Sequence, residues 1–501
     1  MSQRATSSIA SRVAGQGALL FAGFASAQAL SFARNAILAH WLSKGDFGVA
    51  AAIVMMLQMI EVLSDVGADR LIVQAADGDE ARFTATAHLT LAVRGIATFA
   101  LIAIAAVPMA RFFAVPDAAW AFAAAGFAPL VKGFLHLDAR RAQRRLDNRP
   151  QMLIEVVPQA VALALTVPMV LMSAGYAAVV WLAVAQALVA VAVSHGLAER
   201  PYRLAADRSY LSRIATFGWP IWASAFPLVA VYQGDRIVIG HLAGMEQLAA
   251  YTTAFMATMV PGLVAAKVAN ALMLPLLASV AVDREQFSAR FLLMLELTVI
   301  AAAAYLATFA IAGGALIAFA FGPSYAGLGT LVTWLAVMWS MRIVQATLGM
   351  ALMANAITRP FLAGGTIRAL GVVFAFAALG FGYGLEGAAA AGAFAELLSL
   401  CYFLLTVQLL HREPHAHARL GTAALQRTLL LVPAIVAALL VKSYALSTTA
   451  GLAVELAASM LLMTVIAAVL ALAMPALNRA IFMALASRSA ARKQQYALET
   501  R

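Results

Sequence analysis

The chain alternates between apolar runs of roughly twenty residues and short polar breaks. A run of that length crosses a hydrocarbon core of about 30 Å as a helix rising about 1.5 Å per residue. Fourteen runs can be marked: 14–33, 47–64, 84–110, 118–136, 152–173, 176–195, 214–233, 247–281, 291–320, 329–354, 361–381, 388–410, 428–446 and 451–474. They lack the two-residue alternation of a membrane barrel, and an open sheet would leave backbone groups unpaired in lipid. The pattern predicts an all-α polytopic membrane protein with about 14 transmembrane helices. The eighth and ninth runs exceed one crossing, so tilt or kinks are expected there, with Pro261 and Pro275 as kink sites in the eighth.

Composition agrees: 63% of residues are apolar and 11% charged, with a mean hydropathy of +0.88, whereas a soluble domain carries about 25% charge. The net charge of +11 is spread over short breaks rather than gathered in one basic domain, which argues against nucleic acid. Residues 1–13 are polar, with Arg4 and Arg12, and no small-residue cleavage site follows the first run, which is therefore read as a retained helix. The single cysteine, Cys401, lies in an apolar run, so no disulfide framework is expected.

Alternate breaks differ sharply in basic residues. Of 34 Lys and Arg, most fall on the side of the N-terminus, and only Arg34, Lys44, Arg111, Arg236 and Lys442 are assigned to the other. Positively charged loops stay cytoplasmic, so both termini are expected inside. Arg140, Arg141, Arg144, Arg145 and Arg149 form the strongest anchor and are expected to meet lipid headgroups.

An internal repeat supplies the domain organisation. Arg34-Asn-Ala-Ile-Leu-Ala-His40 is followed by Asp46 and an apolar run; Arg236-Ile-Val-Ile-Gly-His241 is followed by Glu246 and another. The match falls where a six-helix half would recur. We therefore expect a cytoplasmic segment 1–13, a first lobe 14–195, a cytoplasmic linker 196–213, a second lobe 214–410, two further helices within 428–474, and a basic tail 475–501 that is either interfacial or frayed. Repeated lobes are a common framework for alternating access.

Several motif matches fail on context. Asp77-Gly-Asp79 has no α/β domain around it and is read as a solvated charged turn. His415-Ala-His417 lacks further metal ligands, and no phosphate-binding G-x-x-x-x-G-K-[ST] is present, so no cofactor or metal is expected. Gly380, Gly382, Gly384 and Gly387 suit close packing or a turn. The informative residues are charges at depth, which cost roughly 2.5–3.5 kcal/mol unless they meet a cavity or partner. Arg94 and Arg342 lie too deep to reach water easily. Lys132, for which snorkelling is expected, Lys267 and Arg368 lie nearer the cytoplasmic side. Acidic counterparts are fewer: Glu61, Glu155, Glu296 and Glu396. Ion pairing and an anionic substrate are both open readings. Pro220 and Pro227 are expected to interrupt the seventh run, behind Trp219 and Trp222.

Phe32-Ala-Arg-Asn-Ala-Ile-Leu-Ala-His-Trp-Leu-Ser-Lys-Gly-Asp-Phe-Gly48, then Ser64-Asp-Val-Gly-Ala-Asp-Arg70 and Val73-Gln74, resembles the opening of bacterial polysaccharide (O-antigen or exopolysaccharide) flippases of the multidrug/oligosaccharidyl-lipid/polysaccharide exporter superfamily. Gly234-Asp-Arg-Ile-Val-Ile-Gly240 is similar to the second-lobe counterpart. The resemblance implies a V-shaped two-lobe transporter, not an enzyme, moving polyprenyl-pyrophosphate-linked oligosaccharide from the inner to the outer leaflet of the bacterial inner membrane. It implies substrate contacts at Arg34, Arg236 and Lys267, with helices one, two, seven and eight bordering a cleft. Depth alone adds Arg94 and Arg342; Glu61, Asp65 and Asp235 are the candidates for coupling or ion pairing. The implied partners are the lipid-linked oligosaccharide and membrane lipids, then a polysaccharide polymerase and glycosyltransferases, with no nucleic acid. Two transporters of the same superfamily are alternatives. An organic-cation exporter would want an acid mid-helix in the first lobe, and the first two runs have none centrally; a lipid II flippase fits the opening motif less well. A membrane glycan polymerase or ligase would need a large external loop, which the chain lacks.

Overall fold

The computed structural model describes residues 2–173, 175–409, 418–445 and 452–479. His415 and His417, and the tail beyond 479, lie outside them. Helices α1 (Ser2–Trp41), α2 (Lys44–Leu63), α3 (Ala68–Gln74), α4 (Ala81–Phe112), α5 (Ala119–Ala125), α6 (Phe127–Lys132), α7 (Asp138–Arg144), α8 (Arg149–Met172) and α9 (Ala177–Gly196) come first. They are followed by α10 (Arg208–Leu242), α11 (Met245–Ala278), α12 (Arg284–Phe321), α13 (Gly329–Ala354), α14 (Arg359–Gly380), α15 (Gly384–Leu409), α16 (Ala418–Leu429), α17 (Leu431–Ala445) and α18 (Leu452–Ala473). Among the described residues there is no strand, and eleven helices are long and apolar enough to cross a membrane. Large apolar side chains such as Ile104, Leu171, Phe376 and Leu472 stand exposed on helix faces. An aqueous surface would not tolerate so much apolar area; lipid does. The protein is an all-α polytopic membrane protein.

The chain forms two compact units. The first comprises 1–256 with the short pieces 320–324 and 376–385; the second comprises 257–319, 325–375 and 386–501. In the first, α1 packs on α8, α8 on α9, and α4 on α5 and α6, while α10 runs against α2, α3 and α4. One end of this unit gathers the breaks near residues 42–48, 113–118, 173–176 and 240–247: the His241 ring meets the Phe112 carbonyl at 2.7 Å, and Gly175 abuts the Asp46 carboxylate. The opposite end gathers 64–82, 133–148 and 198–213 and carries nearly all of the unit's arginine-rich breaks. In the second unit α13 is buried on almost every side, as expected of a helix apolar all round.

Several expected boundaries change. The fourth run is not one helix: α5 stops at Gly126 and α6 resumes at Phe127, followed by turns. The run is rich in Ala and Gly, and neighbours rather than local propensity fix its path. Arg34, Arg111 and Arg236, expected in breaks, lie inside α1, α4 and α10, because helix hydrogen bonding continues past the apolar stretch. Pro220 and Pro227 do not interrupt α10, which runs through both. Each proline frees one carbonyl, a loss membrane helices commonly absorb.

Candidate functional site

At the arginine-rich end of the first unit lies a cavity of about 320 Å³ walled by α2, α3, α4, α6, α7 and α8. One wall is acidic. The chain leaves α2 at Leu63 and turns through Ser64–Gly67, where Gly67 takes a φ of +63°, a conformation that suits glycine. The Asp65 carboxylate accepts the Gly67 N–H at 2.9 Å and fixes the turn. Glu61, Asp65 and Asp69 thereby share one side.

The facing wall is basic, and each acid meets one of its bases, although Asp65 is held more closely by Arg70 of α3 at 2.7 Å. Lys132 Nζ lies 3.0 Å from Glu61 Oε1, Arg140 Nη2 2.8 Å from Asp69 Oδ2, and Arg94 Nη1 3.8 Å from Asp65 Oδ1. Arg94 also donates to Ser64 Oγ at 3.0 Å and to the Glu61 carbonyl at 2.8 Å. These bases reach the acids because α4 and α6 approach backbone to backbone: a Cβ on Gly95 would lie 2.9 Å from the Gly133 Cα. The Lys132 and Glu61 side chains stay 38% and 48% accessible. A pair as open as this contributes about 0–1 kcal/mol.

The pairs of the second unit differ in kind. Arg342 donates from Nε and Nη2 to Glu396 Oε2 at 3.1 and 2.9 Å and stacks on Trp339, with Arg368 4.0 Å from the other carboxylate oxygen. Glu296 accepts from Arg427 Nε at 2.7 Å and from the backbone N–H groups of Ala476 and Leu477 at 3.2 and 2.7 Å. Both glutamates are about fully buried (1% and 0% accessible). Removing one partner of such a pair costs about 3–5 kcal/mol. These clusters hold helices together.

Around the cavity mouth the basic break is folded back onto the protein. Arg141, Arg144 and Arg145 converge on Asp79, and Arg213 forks onto Asp77 at 2.7 and 2.8 Å. Arg144 also caps the end of α3 through the carbonyls of Ile72, Ala75 and Ala76. The carboxylates of the charged turn Asp77-Gly-Asp79 thus anchor four arginines while staying partly accessible. Sequence spacing could not show this, since the partners lie more than sixty residues apart. The Arg213 guanidinium, as hydrogen-bond donor, holds the Asp77 carboxyl below its ordinary range. Burial works to raise the Asp138 carboxyl, but the Glu199 N–H and then Arg141 and the Arg200 N–H outweigh it and leave it lowered.

Of the residues singled out in the sequence, Arg94, Glu61 and Asp65 meet in this cavity. Lys132 bonds to Glu61 there, and Asp69, from the Ser64–Arg70 motif, and Arg140, from the basic break, join them; sequence spacing does not show that these two pair. Arg34 lies elsewhere in the unit, where α1, α8 and α9 meet, donating to Gln159 Oε1 at 3.3 Å, Gln186 Oε1 at 2.9 Å and Ser31 Oγ at 3.4 Å. Asp46 is not its partner but caps α2 with Ser43. Arg236 is buried, stacked 4.8 Å over Phe255 and bonded to the Tyr232 carbonyl, while Asp235 turns to the Tyr251 hydroxyl at 2.6 Å. The two repeat-related arginines therefore sit in different surroundings. Lys267 is exposed on α11 and Arg342 is largely enclosed in its cluster, both in the second unit. Among the described residues no group of three or more His, Cys, Asp or Glu is placed to hold a metal.

Comparisons with known proteins agree with this architecture. No curated protein matches the sequence. Among solved structures, the fold is similar to the lipid II flippase MurJ in an inward closed conformation, with a TM-score of 0.69 and 11% identity, covering 90% of this chain and 98% of that one. It is also similar to an inward-facing multidrug resistance MATE family transporter of the MOP superfamily, with a TM-score of 0.64 and 15% identity, covering 77% of this chain and 96% of that one. Residues 37–328, which hold the cavity with its acidic wall and the Arg236–His241 segment, match a single sequence family, and the chain belongs to it: the polysaccharide biosynthesis proteins.

Proposed function

We propose that the protein is a flippase that moves polyprenyl-pyrophosphate-linked oligosaccharide repeat units from the inner to the outer leaflet of a bacterial inner membrane, with both termini cytoplasmic. Family membership and a fold used by transporters support the class. The observation that carries the substrate chemistry is Arg34. Its charge is solvated by two amide oxygens and a hydroxyl, and among the described residues no carboxylate lies within ion-pair distance. A guanidinium kept charged without an acid is suited to a diphosphate crossing a low-dielectric region. The cavity of paired charges supplies a second polar station, where proton exchange at Glu61 or Asp65 would couple transport to an ion gradient. Membrane potential alone already drives an anion outward by about 2.3 kcal/mol per charge per 100 mV.

Deletion of the gene in a strain with no second flippase is expected to abolish surface glycan and trap lipid-linked repeat units on the inner leaflet. An Arg34→Ala variant should be inserted normally yet restore less than about a tenth of the glycan per molecule, and Arg34→Lys more. Normal glycan after deletion, with arrested peptidoglycan synthesis, would favour a lipid II substrate. A rise in drug sensitivity alone would favour a cation exporter.

A further inference from the structure

The connection between α9 and α10, residues 198–207, has no helix of its own. Arg200 precedes Pro201, which steers it away from the helical region. Even so, the segment is bound along its length. Glu199 and Arg200 donate their N–H groups to Asp138 Oδ2 at 2.7 and 3.3 Å, Ala205 N–H reaches the Ala85 carbonyl at 3.3 Å, and Arg82 pairs with Asp207 at 2.8 Å. Two buried histidines hold its carbonyls. His88 on α4 meets the Arg203 carbonyl through Nδ1 at 3.2 Å, and His136 meets the Arg200 carbonyl through Nε2 at 3.0 Å.

The other ring nitrogens fix the protonation state. His88 Nε2 accepts the Leu137 N–H at 3.0 Å, and His136 Nδ1 accepts the Asp138 N–H at 3.1 Å. A backbone amide has only a proton to offer, so each ring keeps one bare nitrogen and donates from the other. Both rings are therefore neutral. An imidazolium has two donors and no acceptor, so protonation would turn each bare nitrogen against an amide N–H. The rings stand 4.8 Å apart, and Tyr202 of the connection stacks on His88 at 4.4 Å. The remaining neighbours are His195, Arg141, Arg200 and Arg203, with Asp138 as the facing acid. Asp138 is already committed to Arg141 and two N–H groups. A second and third positive charge would enter a site without a spare acceptor.

We propose that His88 and His136 form a proton-sensitive clasp: neutral, they hold the 198–207 connection on the first unit, and protonated, they release it. A histidine freed into water titrates between about pH 5 and 8, while burial holds the bound His136 ring below its ordinary value and so favours the neutral, holding form; falling pH therefore favours the released connection, whose rings take up the protons. Asp138, lowered below the usual carboxylate range, stays charged over that interval. The device goes beyond the transport reading and does not depend on the identity of the substrate.

The test is hydrogen–deuterium exchange of the full chain in lipid nanodiscs at about pH 7.5 and about pH 5.5, with labelling times scaled for intrinsic exchange. Residues 198–207 are expected to lose at least about tenfold protection at the lower pH, relative to α8. In His88→Gln and His136→Gln, whose amides donate and accept without titrating, that loss should shrink to within about twofold. Ring ¹⁵N NMR of histidine-labelled wild-type protein gives a readout independent of the variants. One protonated and one bare nitrogen per ring are expected at the higher pH, and two protonated nitrogens once protection is lost. Equal protection at both pH values, rings protonated at the higher pH, or an undiminished pH response in both glutamine variants would overturn the proposal.

Discussion

An ionised side chain in a bilayer protein either does work with what passes it or fastens one helix to another, and accessibility separates the two. Lys132–Glu61 is open on both sides, whereas Arg342–Glu396 is closed. Lys132→Ala should therefore leave thermal stability and membrane abundance nearly unchanged, within about 1 kcal/mol, while surface glycan per inserted molecule falls. Glu396→Ala should instead lower stability by about 3–5 kcal/mol and deplete the protein from the membrane. Fluorescence-detected thermal melts and quantified membrane fractions check both; a stable, fully inserted Glu396→Ala protein would contradict the division. Depth in the sequence pointed to Arg94 and Arg342 alike, because hydropathy reports how far a charge lies from a polar break. It does not report what stands opposite. Arg94 meets a cavity and Arg342 a buried acid, and only packing distinguishes them.

At the scale of helices, the cavity exists because α4 and α6 touch through glycine. Gly95→Leu would drive a side chain into the Pro129 and Leu130 carbonyls and the Gly133 backbone, pushing Lys132 away from Glu61. Overpacking of this kind costs about 1–3 kcal/mol, and a loss of transport larger than the loss of abundance is expected. Gly365→Leu is the control, since nothing lies within 4 Å of its Cβ position. Equal transport in the two variants would count against the cavity. The apolar runs made these helices legible in the sequence, since twenty apolar residues admit few other structures. What stayed hidden were the short pieces. Helices α3, α5, α6 and α7 have six or seven residues each, too few for a periodic pattern, and α3, α6 and α7 with the breaks beside them form much of the cavity wall. The Gly-x-x-x-Gly spacing that flags close helix contact within one run does not flag Gly95 against Gly133, which lie on different runs.

For the whole molecule, the unequal distribution of basic residues between the two ends of the first unit predicts its orientation. With Cys401 replaced by serine, a cysteine at exposed Asp117 should react with an impermeant maleimide in intact cells. One at Arg145, 56% accessible at the opposite end, should react only after permeabilisation. Reaction of both, or of Arg145→Cys alone, in intact cells would refute the arrangement. The matched arginine segments were legible in the sequence, both lying within long helices. Their different surroundings were not, because Gln159 and Gln186 come from α8 and α9, outside the matched segments, and Phe255 comes from α11.

The Glu296 carboxylate has a consequence for the order in which the protein is made. It enters the membrane with α12, yet two of its three donors are the N–H groups of Ala476 and Leu477, the nearer of them 180 residues downstream. These donors open the short helical stretch after Met474, and a helix start is where an anion is best held. Until synthesis reaches them, a buried acid waits with Arg427 alone or with none. A chain ending before residue 476 would thus bury this carboxylate without two of its three hydrogen-bond donors.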